Sequence, residues 1–203
     1  MKARSRAFTL VELLVVISIV ALLVSISLGS LPGLGRSNDM NRAASGIPLL
    51  LEEARAYAMA HNTYVWVGFL EEAQSHQLLV GMAAGKNGLS SDLDAGSLVP
   101  ISKLATYDRL SLGEVSGLPD MAANADDLAD SQIGSFVQAL GTKSFTFARV
   151  LRYSPQGEAT IKADGGGSHW IQIGLLPVQG AKDRNVVAIQ IGTLTGQVET
   201  FRR

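Results

Sequence analysis

The chain has 203 residues, a formal net charge of −1, and 17% charged residues. Without a basic excess, it lacks the overall positive field that attracts phosphates, so nucleic-acid binding is disfavoured. The sequence contains no cysteine, which excludes disulfides, thiolate metal sites and cysteine nucleophiles.

The N-terminus combines a basic start with a long apolar run. Lys2, Arg4 and Arg6 precede residues 8–31, in which Glu12 is the only charged residue. As a helix this run would be about 36 Å long, more than the roughly 30 Å of a bilayer's hydrocarbon core. The positive-inside rule predicts that the N-terminus stays in the cytoplasm and that the rest of the chain is exported.

Three interpretations of the apolar run are open: a signal peptide, a plain transmembrane anchor, and a helix that needs Glu12. The small residues SISLGS at 25–30 suit a signal-peptidase site, but the run is longer than the usual apolar region of 7 to 15 residues. A charge at the bilayer centre costs about 2.5 to 3.5 kcal/mol on insertion scales. An incidental Glu12 would avoid part of that cost by reaching back to the interface, whereas a functional Glu12 needs a cationic partner.

The stretch AFTLVELLVVISIVALL, residues 7–23, resembles the signal of type IV prepilins and pseudopilins. In that family a peptidase removes a short basic leader just before a Phe, N-methylates the new terminus, and leaves the apolar helix in place. The resemblance implies cleavage between Ala7 and Phe8 and methylation of Phe8. It assigns Glu12 to assembly, as partner of the α-amine of a neighbouring subunit. Ala7 departs from the family, which usually has Gly before the cut.

A second helical segment is predicted after a stretch rich in helix-weakening residues. Residues 29–41, GSLPGLGRSNDMN, predict a kink or short break. From Asn41 to about Asn62, apolar residues recur at helical spacing, and we expect this stripe to pack on a globular core. Residues 46–48 either kink the helix or mark its true start. The stripe consists of Ile47, Leu50, Leu51, Ala54 and Ala58.

The remainder of the chain is predicted to be β-rich. Strands are predicted at 63–69, 76–82, 98–104, 144–153, 170–175, 185–192 and 197–201. The first two should form a hairpin, and the last two should form another with Gly196 in the turn. Residues 84–143 otherwise look irregular, and their acidic piece, 118–134, predicts a solvent-exposed loop with a short helix.

Three further places resemble minor pilins of the FimT kind and the H-type pseudopilins of type II secretion. One is a helix end with Ala54, Arg55, Ala58 and Asn62 that passes directly into a strand. The others are RYSPQGEATI at 152–161 and VVAIQIGTLTGQVETF at 186–201. Some FimT-like proteins bind DNA through a basic C-terminal tail, which here consists of Arg202 and Arg203.

Other candidate sites are weak. Asp92 and Asp94 begin like a calcium loop but lack its downstream Glu, so a polar turn is the alternative. The run after Asp164 suits a flexible hairpin loop better than a phosphate cradle. Side chains of Trp66, Tyr153 and Trp170 suggest a stacking platform for single-stranded nucleic acid. The histidines, His61, His76 and His169, have no metal-ligand spacing.

We therefore predict an α+β, pilin-like fold in which a long N-terminal helix packs on an antiparallel β-sheet domain. The predicted parts are a leader (1–7), a transmembrane and assembly helix (8–31), the amphipathic second half of that helix (32–62) and a β-rich domain (63–203). We expect neither catalysis nor a cofactor or metal.

The resemblance implies a minor pilin or pseudopilin that enters a type IV pilus-like or type II secretion fibre after processing. Its partners would be other pilins, bound through the N-terminal helix, the prepilin peptidase, and an inner-membrane assembly platform. A single span would hold it in the bacterial inner membrane with the globular domain outside the cytoplasm. The alternatives are a membrane-anchored exported binding domain that does not polymerise and a FimT-like DNA-binding minor pilin.

Overall fold

The computed structural model describes residues 9–28, 32–94, 96–164, 166–178 and 185–202. The chain divides into two compact units, Met1–Ser37 and Asn38–Arg203. Helix α1 spans Leu10–Leu28 and helix α2 spans Pro32–His61. The predicted α+β architecture, helices with antiparallel sheets, is confirmed.

Helix α2 starts earlier than the sequence predicts. It is already helical at Pro32, and Pro48 lies inside it, so neither Asn41 nor Pro48 marks its start. Proline suits a first helical position because its missing N–H has no intrahelical partner there. Residues 29–31, which belong to the predicted break, lie outside the described residues.

The predicted apolar stripe of α2 is confirmed as a buried face. Leu50 is half-buried at its margin, and two further residues upstream extend the stripe. Strand residues from both sheets of the domain complete this core. The fully buried stripe residues are Met40, Ala43, Ile47, Leu51, Ala54 and Ala58.

The C-terminal cap of α2 sets the direction in which the chain leaves the helix. Asn62 takes the left-handed conformation, with φ of 49°. The Thr63 N–H donates to the Ala58 carbonyl at 3.1 Å. This is the hydrogen bond of a Schellman cap that joins the first and sixth residues of the motif. The Thr63 hydroxyl then donates to the Gly85 carbonyl at 2.7 Å, tying the helix end to a strand.

Thirteen strands are found in the described part of the chain. In chain order they are β1 Val65–Glu72, β2 Gln77–Gly85, β3 Leu98–Pro100, β4 Ala105–Asp108, β5 Leu110–Leu112, β6 Asp126–Asp127, β7 Phe136–Leu140, β8 Lys143–Phe147, β9 Arg149–Tyr153, β10 Ala159–Thr160, β11 Trp170–Pro177, β12 Val187–Gly192 and β13 Val198–Arg202. Sheet A has the order β10-β9-β1-β2-β3, with β4 also on β2. Sheet B has the order β13-β12-β11-β5, with β6 also on β11, and β7 pairs with β8 alone.

Both predicted hairpins are confirmed, but one predicted strand is split and another is shorter than predicted. Strands β1 and β2 pair antiparallel, as do β12 and β13, with Gly196 at a φ of 64° in the second turn. The strand predicted at 144–153 is wrong as a single element, because β8 pairs with β7 whereas β9 pairs with β1. The strand predicted at 98–104 is shorter than predicted, because β3 ends at Pro100, although the Ile101 N–H still donates to the Met82 carbonyl of β2 at 3.1 Å.

Sheet A is covered on its outer face by the β7–β8 hairpin. Gly68 and Gly81 are direct cross-strand partners, and together they leave a shallow place on that face. Phe147 and Phe136 stack there, with ring centroids 5.1 Å apart. A Cβ on Gly68 would lie 2.5 Å from the Cβ of Phe147, so only glycine fits beneath these rings.

Sheet B is covered on its outer face by the segment after β5. Gln172 and Gln190 are cross-strand partners whose amides hold this segment by its main chain. Gln172 donates to the Val115 carbonyl at 2.7 Å, while Gln190 both accepts from and donates to the main chain of Ala122. The prediction that 118–134 is a solvent-exposed loop is therefore wrong for its apolar residues, since Leu118, Leu128 and Ile133 are buried. The short helix predicted there is a 3₁₀ turn at Leu128–Asp130.

Two joints tie α2 to both sheets. Near its start, Asp39 accepts hydrogen bonds from Arg109, whose Nε lies 2.8 Å from the Asp39 Oδ2. Arg109, with φ of 57°, is the corner residue between β4 of sheet A and β5 of sheet B. Near its end, Arg55 lies against two turns at once, Gly157 of sheet A and Gly196 of sheet B.

The second joint leaves no room for larger residues. A Cβ on Gly196 would lie 2.8 Å from the Arg55 Cδ and would overlap the Gly157 carbonyl oxygen. Beside it, Glu52 accepts from the Val198 N–H at 3.3 Å and contacts Arg55. Burial raises the pKa of the neighbouring Tyr153 hydroxyl, with Glu52 raising it further and Arg55 lowering it.

We predict that Gly68→Ala destabilises the domain by about 1 to 3 kcal/mol, because the added methyl group must displace Phe147 from a packed face. The effect is measured as the shift in thermal or denaturant midpoint. Gly96→Ala is the matched control: a Cβ there meets nothing within 4 Å, and we expect a change within about 0.5 kcal/mol. Equal midpoints for the two variants would show that the hairpin does not depend on the glycine pair.

Candidate processing and assembly site

The start of α1 is fixed by a cap that involves Glu12. The Thr9 hydroxyl accepts from the Glu12 N–H at 3.2 Å, and the Thr9 carbonyl accepts from the Leu13 N–H at 3.2 Å. Thr9 is thus the N-cap and Glu12 the third helical residue, the spacing of a capping box. A carboxylate in the first turn also interacts favourably with the helix dipole. The Glu12 side chain itself is exposed.

The two residues of the predicted cleavage site, Ala7 and Phe8, lie outside the described residues. Thr9 is the first residue that the structure describes, so the cap begins one residue after Phe8. Of the three predicted site residues, the structure therefore places Glu12. Cleavage and methylation remain predictions at this point.

Over residues 10–25, α1 presents an apolar surface on every side. Large apolar side chains from Leu10 to Val24 are about half or more exposed, and Leu10 is the most exposed at 81%. The hydroxyls of Ser18 and Ser25 donate to carbonyls of the same helix, of Leu14 and Leu22, so they add little polarity to its surface. A helix that is apolar all round needs an apolar environment. Among the described residues, no helix meets both the length and the hydropathy needed to cross a membrane.

The predicted nucleic-acid platform does not exist as proposed. Trp66 and Tyr153 are fully buried, so neither ring can stack on a base, and Trp170 is half-buried. Alternating strand residues face opposite sides of a sheet, and sheet A is covered on both, which places these rings inside the domain. In the predicted basic tail, Arg202 is exposed and Arg203 lies outside the described residues.

The candidate calcium loop is a turn braced by its own aspartate. Asp92 is buried, and its carboxylate accepts from the main-chain N–H groups of Asn87 and Leu89. Asp94 is exposed and does not join it. Over the ranges that the structure describes, no three acidic or histidine side chains come together as a metal site.

Each of the three histidines makes contacts that stabilise the fold. His61 packs against Tyr57 with ring centroids 4.1 Å apart and ring planes tilted by 32°, at the end of α2. His76 lies in the β1–β2 turn with φ of 53°, where its carbonyl accepts from the Arg109 N–H. His169 accepts from the Thr193 N–H through its own carbonyl. These contacts use main-chain groups or ring faces and need no catalytic role.

Sequence reasoning missed the Asp39–Arg109 pair and the Gln172–Gln190 pair. The first joins residues 70 positions apart, and Asp39 fell within a stretch expected to break the helix. A weak signal for the second was available, since Gln172 and Gln190 interrupt otherwise apolar strands. The three places that resemble FimT-like and H-type proteins come together in the structure. The helix end supplies Arg55, residues 152–161 supply Gly157, and residues 186–201 supply Gly196, and these three residues form the Arg55 joint.

Comparison with known proteins gives one match. Residues 2–28 match the family model of the prokaryotic N-terminal methylation motif, and no curated protein and no solved structure matches the chain. The motif implies processing by a prepilin peptidase and interaction with other pilins, and it suggests a structural subunit rather than an enzyme. It also fits a membrane-anchored protein with an extracytoplasmic domain. The chain thus carries, at residues 2–28, the N-terminal signal of type IV pilins and pseudopilins.

Proposed function

We propose that this chain is a minor pilin or pseudopilin subunit that enters a fibre after its leader is removed. The observation that carries the proposal is the matched signal on a helix whose large apolar side chains are exposed and whose single carboxylate lies in the first turn. Such a helix suits bundling with like helices better than packing on its own domain. In this proposal the peptidase cuts between Ala7 and Phe8 and methylates the Phe8 amine.

Cleavage would supply the cation that Glu12 needs. Hydrolysis of the bond after Ala7 leaves a positively charged α-amine on Phe8, at the apolar helix's own end. A carboxylate that is costly alone in an apolar bundle becomes favourable when a cation pairs with it in low dielectric. We propose that Glu12 of one subunit pairs with the Phe8 amine of the next, so that pairing becomes available only after processing.

The remaining parts follow from this assignment. Residues 8–31 would hold the subunit in the inner membrane before assembly, and residues 32–62 would carry the helix into the globular domain. The domain would lie outside the cytoplasmic membrane, where it meets neighbouring subunits, and an inner-membrane platform would drive assembly. The alternative function is an anchored, exported binding domain that does not polymerise. The burial of Trp66 and Tyr153 removes the stacking platform, so a FimT-like DNA-binding minor pilin would depend on its C-terminal Arg202 and Arg203.

The first test is the N-terminus of the protein purified from its native membranes. We expect intact-mass and peptide mass spectrometry to find N-methylated Phe8 as the first residue. Ala7→Gly, which restores the residue usual in the family, should give the same terminus with at least equal yield. An N-terminus at Met1, or a cut within residues 25–30, would rule out the pilin assignment.

The second test separates the pairing role of Glu12 from its place in the helix cap. Glu12→Gln keeps a capping residue but removes the charge, so we expect normal cleavage and a loss of co-assembly of roughly tenfold or more, measured by cross-linking to partner pilins. Glu53→Gln, on the exposed face of α2, is the matched control and should assemble normally. Undiminished assembly of Glu12→Gln would contradict the pairing, while normal processing with no cross-linking even in the wild type would favour the anchored binding domain.

A further inference from the structure

The two halves of the packed part of α2 are held differently. Residues 49–61 have the Leu51 side chain in the core, the double joint at Arg55 and the cap at Asn62. Residues 38–47 contribute Met40 and Ile47 to the core, together with small residues. The ion pair of Asp39 adds a polar link to the sheets at the start of this upstream half, whose side chains Met40, Ala43 and Ile47 are buried in the core.

The Asp39–Arg109 pair has the geometry of a latch with one fixed side. The Arg109 N–H donates to the His76 carbonyl at 2.8 Å, and its carbonyl accepts from the Val178 N–H at 3.0 Å. Both sheets therefore hold the Arg109 main chain in place. Its guanidinium reaches Asp39, whose side chain is only 10% exposed. Because charge-assisted bonds to a nearly buried carboxylate are among the stronger side-chain bonds, the pair resists separation of the helix start.

The helix is weakest at the other end of this upstream half. Pro48 has no N–H, so the helix lacks its bond to the Ala44 carbonyl at this turn. Gly46 has low helix propensity, and a Cβ there would lie 2.5 Å from the Tyr107 hydroxyl oxygen, so a larger residue would displace that side chain. A break at residues 46–48 would cost less than a break within residues 49–61.

We propose that residues 38–47 form a latched arm, closed by the Asp39–Arg109 pair and hinged at its downstream end, where Gly46 and Ile47 meet Pro48. With the pair closed, the arm belongs to the globular unit, which begins at Asn38. When the pair opens, these ten residues leave the sheets while Arg55 and the Asn62 cap keep the rest of α2 in place. The arm thus lets the domain release part of its helix without unfolding. This inference concerns the globular unit alone and does not depend on the fibre assignment.

The test is amide hydrogen exchange, read by mass spectrometry on the full-length chain in detergent. In Asp39→Asn we expect exchange of residues 40–47 to speed up by about tenfold or more, since a hydrogen bond to a charged group is lost. Peptides covering residues 51–61, β1 and β12 should exchange as in the wild type. Unchanged exchange at 40–47, or an equal increase throughout the domain, would overturn the proposal.

Two further variants keep the test specific. Pro48→Ala restores the missing N–H, and in the Asp39→Asn background it should slow exchange at 40–47 back towards the wild-type rate. Faster or unaltered exchange there would rule out the hinge. Glu71→Gln breaks another partly exposed pair, in which Arg149 donates to Glu71 at 2.7 Å. It is the matched control and should leave residues 40–47 unchanged; an increase there equal to that in Asp39→Asn would show that the latch has no special role.

Discussion

The domain depends on one helix face that serves two sheets. The buried stripe of α2 shares a single core with residues of β1, β2 and β9 from sheet A and of β11 and β12 from sheet B. Each large side chain in that face contributes about 1.5 to 3 kcal/mol when fully buried. Removing the helix would expose the inner faces of both sheets at once. The two joints, at Asp39 and at Arg55, fix the position of the helix on those sheets.

This constraint explains why several glycines and small residues occur where they do. Gly157 and Gly196 let two turns from different sheets meet at Arg55, and Gly46 lets Tyr107 approach the helix. On the outer side, the cross-strand pair of Gly68 and Gly81 makes room for the covering hairpin. At most of these positions a side chain of another element lies where a Cβ would be, and at Gly196 the Gly157 carbonyl oxygen also lies there.

Sequence periodicity was enough to predict the elements that depend on near neighbours. The stripe of α2 and both hairpins, the second with Gly196 in its turn, follow from residues a few positions apart, and all are confirmed. Features that depend on distant partners were not predictable in this way. A single residue, Ala148, separates strands of different sheets, and nothing in the β-rich run 144–153 indicates the change.

Dependence on distant partners also explains why residues 84–143 could not be predicted correctly. Residues 84–143 look like a polar insertion because their apolar residues are sparse and have no regular period. The structure uses those few residues, such as Phe136 and Leu118, to cover the outer faces of both sheets. Composition indicates the surface of such a segment, but which sheet it covers depends on contacts made after folding.

Among the residues that the structure describes, most of the exposed large apolar side chains lie on α1. Twelve large apolar side chains between Leu10 and Val24 are about half or more exposed. If α1 enters a bilayer, as we propose, insertion scales assign these residues about 4 to 7 kcal/mol of favourable free energy in total. One carboxylate costs about 2.5 to 3.5 kcal/mol at the bilayer centre, and less near a helix end. Insertion would therefore proceed without a partner for Glu12, so pairing with Phe8 would decide which neighbour the helix takes and in what register, rather than whether it enters the membrane.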